Sequence, residues 1–227
     1  SKTILISADH GLAIIYFLQS EVVTTLLSAG HKVVVLTDDA IQEKISSKFN
    51  HPNLIFEGLR IKECNTYFSA IDPERQWWLN FLRRVGSSGR INTEAMDSYV
   101  RQVAVEEGRR RRWLMPLGRL AVGILRRSRY ARRWLISAQA HYTPNLYADL
   151  FEKYSPSLVV ASTPGWRLDR YLLREAAALG ITTAAVVVGW DNPSSYSIPG
   201  AHVDWISCWS QTQKDELVLG SDWDPKK

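Results

Sequence analysis

Apolar residues follow two rhythms along this chain. Residues 3 to 7 (TILIS) and 32 to 37 (KVVVLT) are short runs without polar alternation, which predicts strands buried on both faces. Between them, residues 12 to 29 (LAIIYFLQSEVVTTLLSA) have the length of one helix, and Gly30 supplies a C-terminal stop. A strand, a helix and a strand in roughly 35 residues is the repeat of a parallel α/β sheet. Residues 54 to 57 (LIFE) predict a third strand.

The rhythm changes over residues 70 to 150, which lack strand-like runs and read as helical. Breaks are expected near Gly86 to Gly89 and at Pro116 and Pro144, with Pro116 marking a first turn or a kink rather than lying inside one unbroken helix from 109. The α/β pattern then returns: a strand at 158 to 162, a helix at 167 to 179 stopped by Gly180, a strand at 182 to 188, and a strand at 203 to 209. Ser210 is placed to cap a helix from about 211 to 219. The pattern predicts an α/β fold: a parallel Rossmann-like sheet with helices on both faces and a helical insertion at about 70 to 150 within a single domain spanning 1 to 220. Residues 221 to 227 read as the start of a linker.

Composition narrows the class. Of the 227 residues, 45% are hydrophobic and 22% charged, which excludes wholesale disorder. The length favours one large domain over two full-size ones. Cys64 and Cys208 are the only cysteines, too few for a disulfide scaffold, so a reducing, cytoplasmic setting is the expectation. The longest apolar stretches, such as Thr183 to Gly189, fall far short of the roughly 18 to 20 residues of a spanning helix. The chain opens at once on strand-like sequence, so no signal peptide is expected. No zinc spacing, metal site or other cofactor motif is present. Neither G-x-G-x-x-G after the first strand nor a Walker A motif occurs, which disfavours the usual dinucleotide and ATP sites, and the absence of G-x-S-x-G removes the simplest hydrolase reading.

In an open parallel sheet, ligands sit beyond the C-terminal strand ends. That rule selects Ala8-Asp9-His10-Gly11, Thr37-Asp38-Asp39, Ser162-Thr163-Pro164-Gly165-Trp166 and Gly189-Trp190-Asp191-Asn192-Pro193. His10 titrates near neutral pH and with Asp9 is a candidate catalytic base; equally, the two residues cap the following helix. Gly11, Thr163, Gly165 and Trp166 are candidate substrate-binding positions on the same grounds. Trp190 offers a ring face suited to sugars or bases, and Asp191 and Asn192 can hydrogen-bond polyols; the alternative is an Asx-type turn with Trp190 closing the core.

At these residues the sequence resembles a known group. The opening SKTILISADHGLAIIYFLQSEVVTTLLSAGHKVVVLTDD and the stretch from Val186 to Lys227, with WDN and VDWISCWSQTQKDEL, are similar to the N-terminal, acceptor-side domain of GT-B glycosyltransferases. The likeness is to bacterial surface-polysaccharide, CDP-glycerol glycerophosphotransferase-like and nucleotide-sugar 2-epimerase-like proteins. It covers about 80 residues at the two ends. The resemblance implies transfer of a sugar from a nucleotide-sugar donor to a lipid-linked or polymeric surface-glycan acceptor, with Trp190, Asp191 and Asn192 lining the cleft and His10 or Asp9 as base in an inverting reaction. It also implies that the donor is held mainly by a second, C-terminal domain and that this stretch by itself is inactive or nearly so.

Charge adds one more expectation. The net charge is +5, yet Gly108 to Ala148 holds ten arginines and no acidic residue, while the other 18 basic residues are outnumbered by 23 acidic ones. Arg112, Arg119, Arg126 and Arg133 recur every seven residues, which on one helix makes a slowly drifting stripe. Trp113, Leu117, Leu120 and Ile124 fall on a neighbouring face. This is the composition of a basic amphipathic helix on an anionic membrane surface, which predicts a peripheral location on the inner face of the cell membrane. Two alternatives stand beside it: a helix packed on the sheet with solvated arginines, and a phosphate- or nucleic-acid-binding module. Nucleic acid is disfavoured, because the neighbouring aromatics sit among Leu and Ile and no recognised motif occurs. A nucleotide-sugar epimerase-like half remains the alternative enzyme.

Overall fold

The computed structural model describes residues 1–187 and 189–226. In chain order the elements are β1 (Thr3–Ala8), α1 (Gly11–Ile14, continued by a π turn Ile15–Gln19), α2 (Glu21–Ser28), β2 (Lys32–Thr37), α3 (Gln42–Ser46), β3 (Leu54–Gly58), α4 (Ile61–Ala70), α5 (Pro73–Val85), α6 (Glu94–Glu106), α7 (Arg109–Arg127), α8 (Arg129–Ala140), α9 (Ala148–Tyr154), β4 (Leu158–Ala161), α10 (Asp169–Ala178), β5 (Thr182–Val186), α11 (Asn192–Tyr196), β6 (Trp205–Ser207) and α12 (Gln211–Ser221). They form two compact units: Ser1–Ile71, Thr143–Val188 and Ala201–Ser207 in one, and Asp72–Tyr142, Gly189–Gly200 and Cys208–Lys227 in the other.

The first unit is built on a six-stranded sheet in the order β3-β2-β1-β4-β5-β6, with every pairing parallel. This is the Rossmann-like, doubly wound order. The unbroken apolar runs predicted as strands are buried as expected: Leu5, Ile6, Val33, Val34, Val35 and Leu36 have no exposed surface. Alternate residues Ile4, Ile6, Val33 and Val35 pack with Ala13, Phe17, Leu18, Val23 and Ile45. From β1 the crossovers to β2 and β3 step one way, and from β4 those to β5 and β6 step the other. Right-handed connections therefore place their helices on opposite faces of the sheet.

Several boundaries differ from the pattern. The helix expected over 12 to 29 is interrupted at Ser20, whose extended backbone (φ −91°, ψ −178°) lets its hydroxyl cap Val22 N–H at 3.3 Å. The two halves bend by 42°, and Phe17, Leu18 and Val23 belong to the core. The strand expected over 203 to 209 is confined to Trp205–Ser207. Just before it, the Asp204 carboxylate binds Thr183 N–H at 2.9 Å, a side-chain bond at the start of the pairing. The strand expected over 182 to 188 ends at Val186; Val188 lies outside the described residues. Helices α3 and α4 lie in stretches to which the apolar pattern assigned no element.

The second unit is helical and has its own core of Phe81, Val85, Met96, Val100, Val103, Met115 and Val122. Helix α7 corrects one expectation: it runs unbroken through Pro116. Proline deprives the carbonyl four residues back of its partner. Here that residue is Arg112, which is exposed, so water can take the place of the lost donor. Packing of Met115, Gly118, Val122 and Leu125 holds the helix on either side. A Cβ on Gly118 would lie 2.8 Å from the Trp78 ring, so only glycine admits that indole.

Candidate functional site

Strands β1 and β4 are neighbours whose chain connections diverge, which is the point where a doubly wound sheet places a crevice beyond its C-terminal strand ends. Two loops meet there. Asp9, directly after β1, is nearly fully buried, and each carboxylate oxygen has a partner. Ser162 Oγ donates to Oδ1 at 2.8 Å and Arg167 Nε donates to Oδ2 at 2.9 Å. Asp9 therefore ties the two loops together. The Arg167 side chain is 48% exposed, and its terminal nitrogens have no partner among the described residues.

His10 caps α1. Its extended backbone (φ −156°, ψ 165°) lets Nδ1 accept Ala13 N–H at 3.2 Å. The neutral tautomer that this bond requires carries its proton on Nε2, which lies 3.6 Å from Asp9 Oδ1. Burial lowers the His10 pKa; Asp9 opposes that shift and the Arg167 charge adds to it. The imidazole is thus held neutral at pH 7, with a carboxylate beside one nitrogen and a replaceable backbone donor at the other.

The 162 to 169 loop is a knot. Pro164 and Gly165 take the middle of a turn, with Gly165 at φ +82°, a backbone conformation that favours glycine. Trp166 N–H donates to Thr163 Oγ1 at 3.0 Å. Thr163 in turn donates to Asp169, from N–H at 2.9 Å and from its hydroxyl at 2.7 Å. Asp169 is fully buried, and burial with the nearby Asp9 charge pushes its pKa up to about 8. Thr163, Gly165 and Trp166 are buried within this knot, so they set the shape of the loop, while Gly11, His10 and Arg167 remain within reach of solvent. Arg167 and Asp169 were not singled out from the sequence. Their signal was a basic and an acidic residue just beyond a Thr-Pro-Gly turn.

The Thr37-Asp38-Asp39 loop serves local structure. Asp38 Oδ1 accepts Ala40 N–H at 2.9 Å, and Asp39 Oδ2 accepts Ile61 N–H at 2.9 Å at the start of α4.

Trp190, Asp191 and Asn192 belong to the second unit. Asn192 Oδ1 accepts Gly189 N–H at 2.6 Å, three residues back, which is not the Asx-type turn expected there. Trp190 does not close a core: the residue is 79% exposed. Gln213, nearly fully buried, donates to Gly189 O at 2.8 Å and accepts Trp209 N–H at 2.7 Å, so it clamps the segments that carry both tryptophans.

The arginine segment is divided. Arg111 binds Glu107 at 2.9 Å and Glu74 at 3.2 Å, Arg126 binds Asp97 at 2.8 Å, and buried Arg132 binds Asp222 at 2.7 Å. The seven-residue stripe does not lie on one helix. Ser128 ends α7 and its hydroxyl caps α8 at Ala131 N–H (3.2 Å), so Arg133 stands on the next helix, while Arg126 is held inside the unit. Trp113, Leu117, Leu120 and Ile124 are exposed on α7, opposite its packed face, as are Tyr130 and Trp134 on α8. The alternative in which these four residues pack on the sheet is overturned by that exposure. Among the described residues no single helix is long and apolar enough to cross a membrane, and no cluster of three His, Cys, Asp or Glu could hold a metal.

No protein-family model and no curated protein matches the sequence. Among solved structures, the chain is similar to glycosyltransferase VinC in complex with DTDP, with 13% identity and a TM-score of 0.35. The match covers 82% of this chain and 35% of that one, so this chain spans about a third of VinC's length.

Proposed function

We propose that the chain is the acceptor-binding part of a GT-B type glycosyltransferase working at an anionic membrane surface. The observation that supports it best is the arrangement at the β1–β4 crevice: a neutral His10 beside the buried Asp9 carboxylate, and next to them an Arg167 whose terminal nitrogens have no partner among the described residues. Glycosyl transfer needs a base at the acceptor oxygen and positive charge for the departing diphosphate. In this reading an acceptor hydroxyl replaces Ala13 N–H at His10 Nδ1. Its oxygen forms the new bond to the anomeric carbon, its proton passes to Nδ1, and Asp9 stabilises the resulting imidazolium through Nε2–H. The bond to the nucleoside diphosphate breaks and the electron pair leaves with that group. Gly11 leaves room beside the base, and the Thr163–Trp166 knot shapes the crevice wall. The donor nucleotide is gripped by a second lobe, as the sequence resemblance implies.

The membrane part of the proposal is supported by the outward face of α7 and α8. Four large apolar side chains on α7 and two aromatics on α8 are exposed among arginines with no acidic residue from Gly108 to Ala148. Each basic residue near an anionic leaflet contributes about 1 kcal/mol, and interfacial Trp and Leu add apolar contact.

The test is saturation-transfer NMR of the full chain with glycan fragments, paired with mass spectrometry of nucleotide-sugar mixtures on anionic vesicles bearing glycan acceptors. Saturable glycan binding that His10→Ala weakens by roughly tenfold or more, and that Arg167→Ala, which acts on the diphosphate, changes less, is the expected result. Absence of saturable glycan binding by the wild type overturns the proposal. Isomerised nucleotide sugar without any acceptor product favours the epimerase-like alternative.

A further inference from the structure

A cavity of about 520 Å³ in the helical unit has no part in the reading above. Helix α6 contributes Asp97, Val100 and Arg101 to it, α7 contributes Arg119, Val122, Gly123, Arg126 and Arg127, and Gly89 borders it. Val100 and Val122 are buried. Asp97, the one acidic residue in the lining, already binds Arg126 at 2.8 Å. Arg127 makes only a 3.3 Å contact with Gly123 O one turn back in its own helix. Arg101 and Arg119 have no hydrogen-bond or ion-pair partner among the described residues.

Arg101, Arg119 and Arg127 are therefore exposed arginines bordering one open concavity, and the one carboxylate that lines it is already paired. Like charges repel more strongly in a concavity walled by protein than in open water, so the arrangement favours a bound anion. Guanidinium forks match the oxygens of a phosphoryl group in geometry as well as charge. We propose that this cavity binds a phosphate or diphosphate group. The inference stands on the helical unit and is independent of the chemistry proposed at the β1–β4 crevice. A lipid headgroup and a soluble phosphorylated compound both carry such a group. On α7, Leu120 and Ile124 of the exposed apolar face adjoin Arg119 and Arg127 in sequence and along the surface, which is the arrangement a lipid phosphate meets.

The test titrates the full chain with inorganic pyrophosphate by calorimetry at fixed ionic strength. In parallel, the chain is sedimented with vesicles containing phosphatidic acid or phosphatidylglycerol at matched surface charge. The cavity variant is Arg101→Ala with Arg119→Ala. The control, Arg109→Ala with Arg110→Ala, removes the same charge from exposed positions outside the cavity. Expected is saturable pyrophosphate binding, at least about tenfold weaker in the cavity variant and changed less than about twofold in the control. Arg119→Lys, which keeps the charge without the fork, is expected to fall between the two and serves if the double variant does not fold. A preference for phosphatidic acid that the cavity variant loses supports the site with a lipid headgroup as its ligand. Pyrophosphate binding without a lipid preference supports it with a soluble ligand. Absence of saturable pyrophosphate binding, or equal weakening by cavity and control variants, overturns the proposal.

Discussion

The loops at the β1–β4 crevice and the helix pair α7–α8 hold charge in opposite ways. In the crevice, Asp9 and Asp169 are buried and every carboxylate oxygen meets a donor, leaving one edge of His10 and the tip of Arg167 for a ligand. On α7 and α8, three arginines are paired within the unit and the rest face solvent beside exposed Trp and Leu. Paired charge fixes the shape of its own surroundings. Unpaired charge next to apolar surface is available to an outside partner. Burial and pairing, rather than the count of arginines, separate the two roles.

The sharpest way to break that comparison is within the arginine segment itself. Arg132→Ala leaves partly buried Asp222 without its partner and removes the donor to Leu125 O; a loss of about 2–4 kcal/mol is expected in chemical denaturation. Arg133→Ala, one residue on but exposed, is expected to change stability by less than about 0.5 kcal/mol. Comparable losses in both would remove the distinction between paired and unpaired arginines.

Asp9→Ala comes next. It strands the Ser162 hydroxyl and Arg167 Nε, and a cost of about 2–3 kcal/mol is expected from urea unfolding. The pH dependence of stability sharpens the same point. Asp169 has a folded pKa of about 8, above its ordinary 3.8, so its contribution is complete below about pH 4 and is lost as pH rises through 8. Asp169→Asn should flatten that decline between pH 4 and 8. His10 works in the other direction: its folded pKa is lowered, so stability falls as pH drops below 6.5, and His10→Gln should remove that fall. Unchanged pH profiles in both variants would contradict the buried-charge description of the crevice.

The outward face gives the smallest change in stability. Trp113→Ala with Leu117→Ala is expected to leave thermal unfolding within about 0.5 kcal/mol of wild type while lowering partition onto anionic vesicles by about tenfold. Loss of stability without loss of partition would reverse the roles assigned to the two faces of α7.

Parts of this were legible in the chain. The unbroken apolar runs at β1 and β2 could only be strands buried on both faces, and Ser210 was recognisable as a cap, as its 3.3 Å bond with Gln213 N–H bears out. The break at Ser20 was not legible, because a single serine in an apolar helical run reads as a tolerated polar residue until its backbone turns extended. The pairing of Asp9 with Arg167 was out of reach for the same kind of reason: 158 positions separate the two residues in sequence, and only the adjacency of β1 and β4 brings them together.

By itself the sequence determined a parallel α/β sheet, a helical segment and the concentration of arginine, since periodicity and composition are local quantities carried by neighbouring residues. Tertiary structure alone decided which arginines are paired, that Trp190 and the Trp113 face stay in solvent, and that three exposed arginines border one open cavity. Each of those depends on which distant segment packs against a side chain, and burial and pairing energies exist only once that segment is in place.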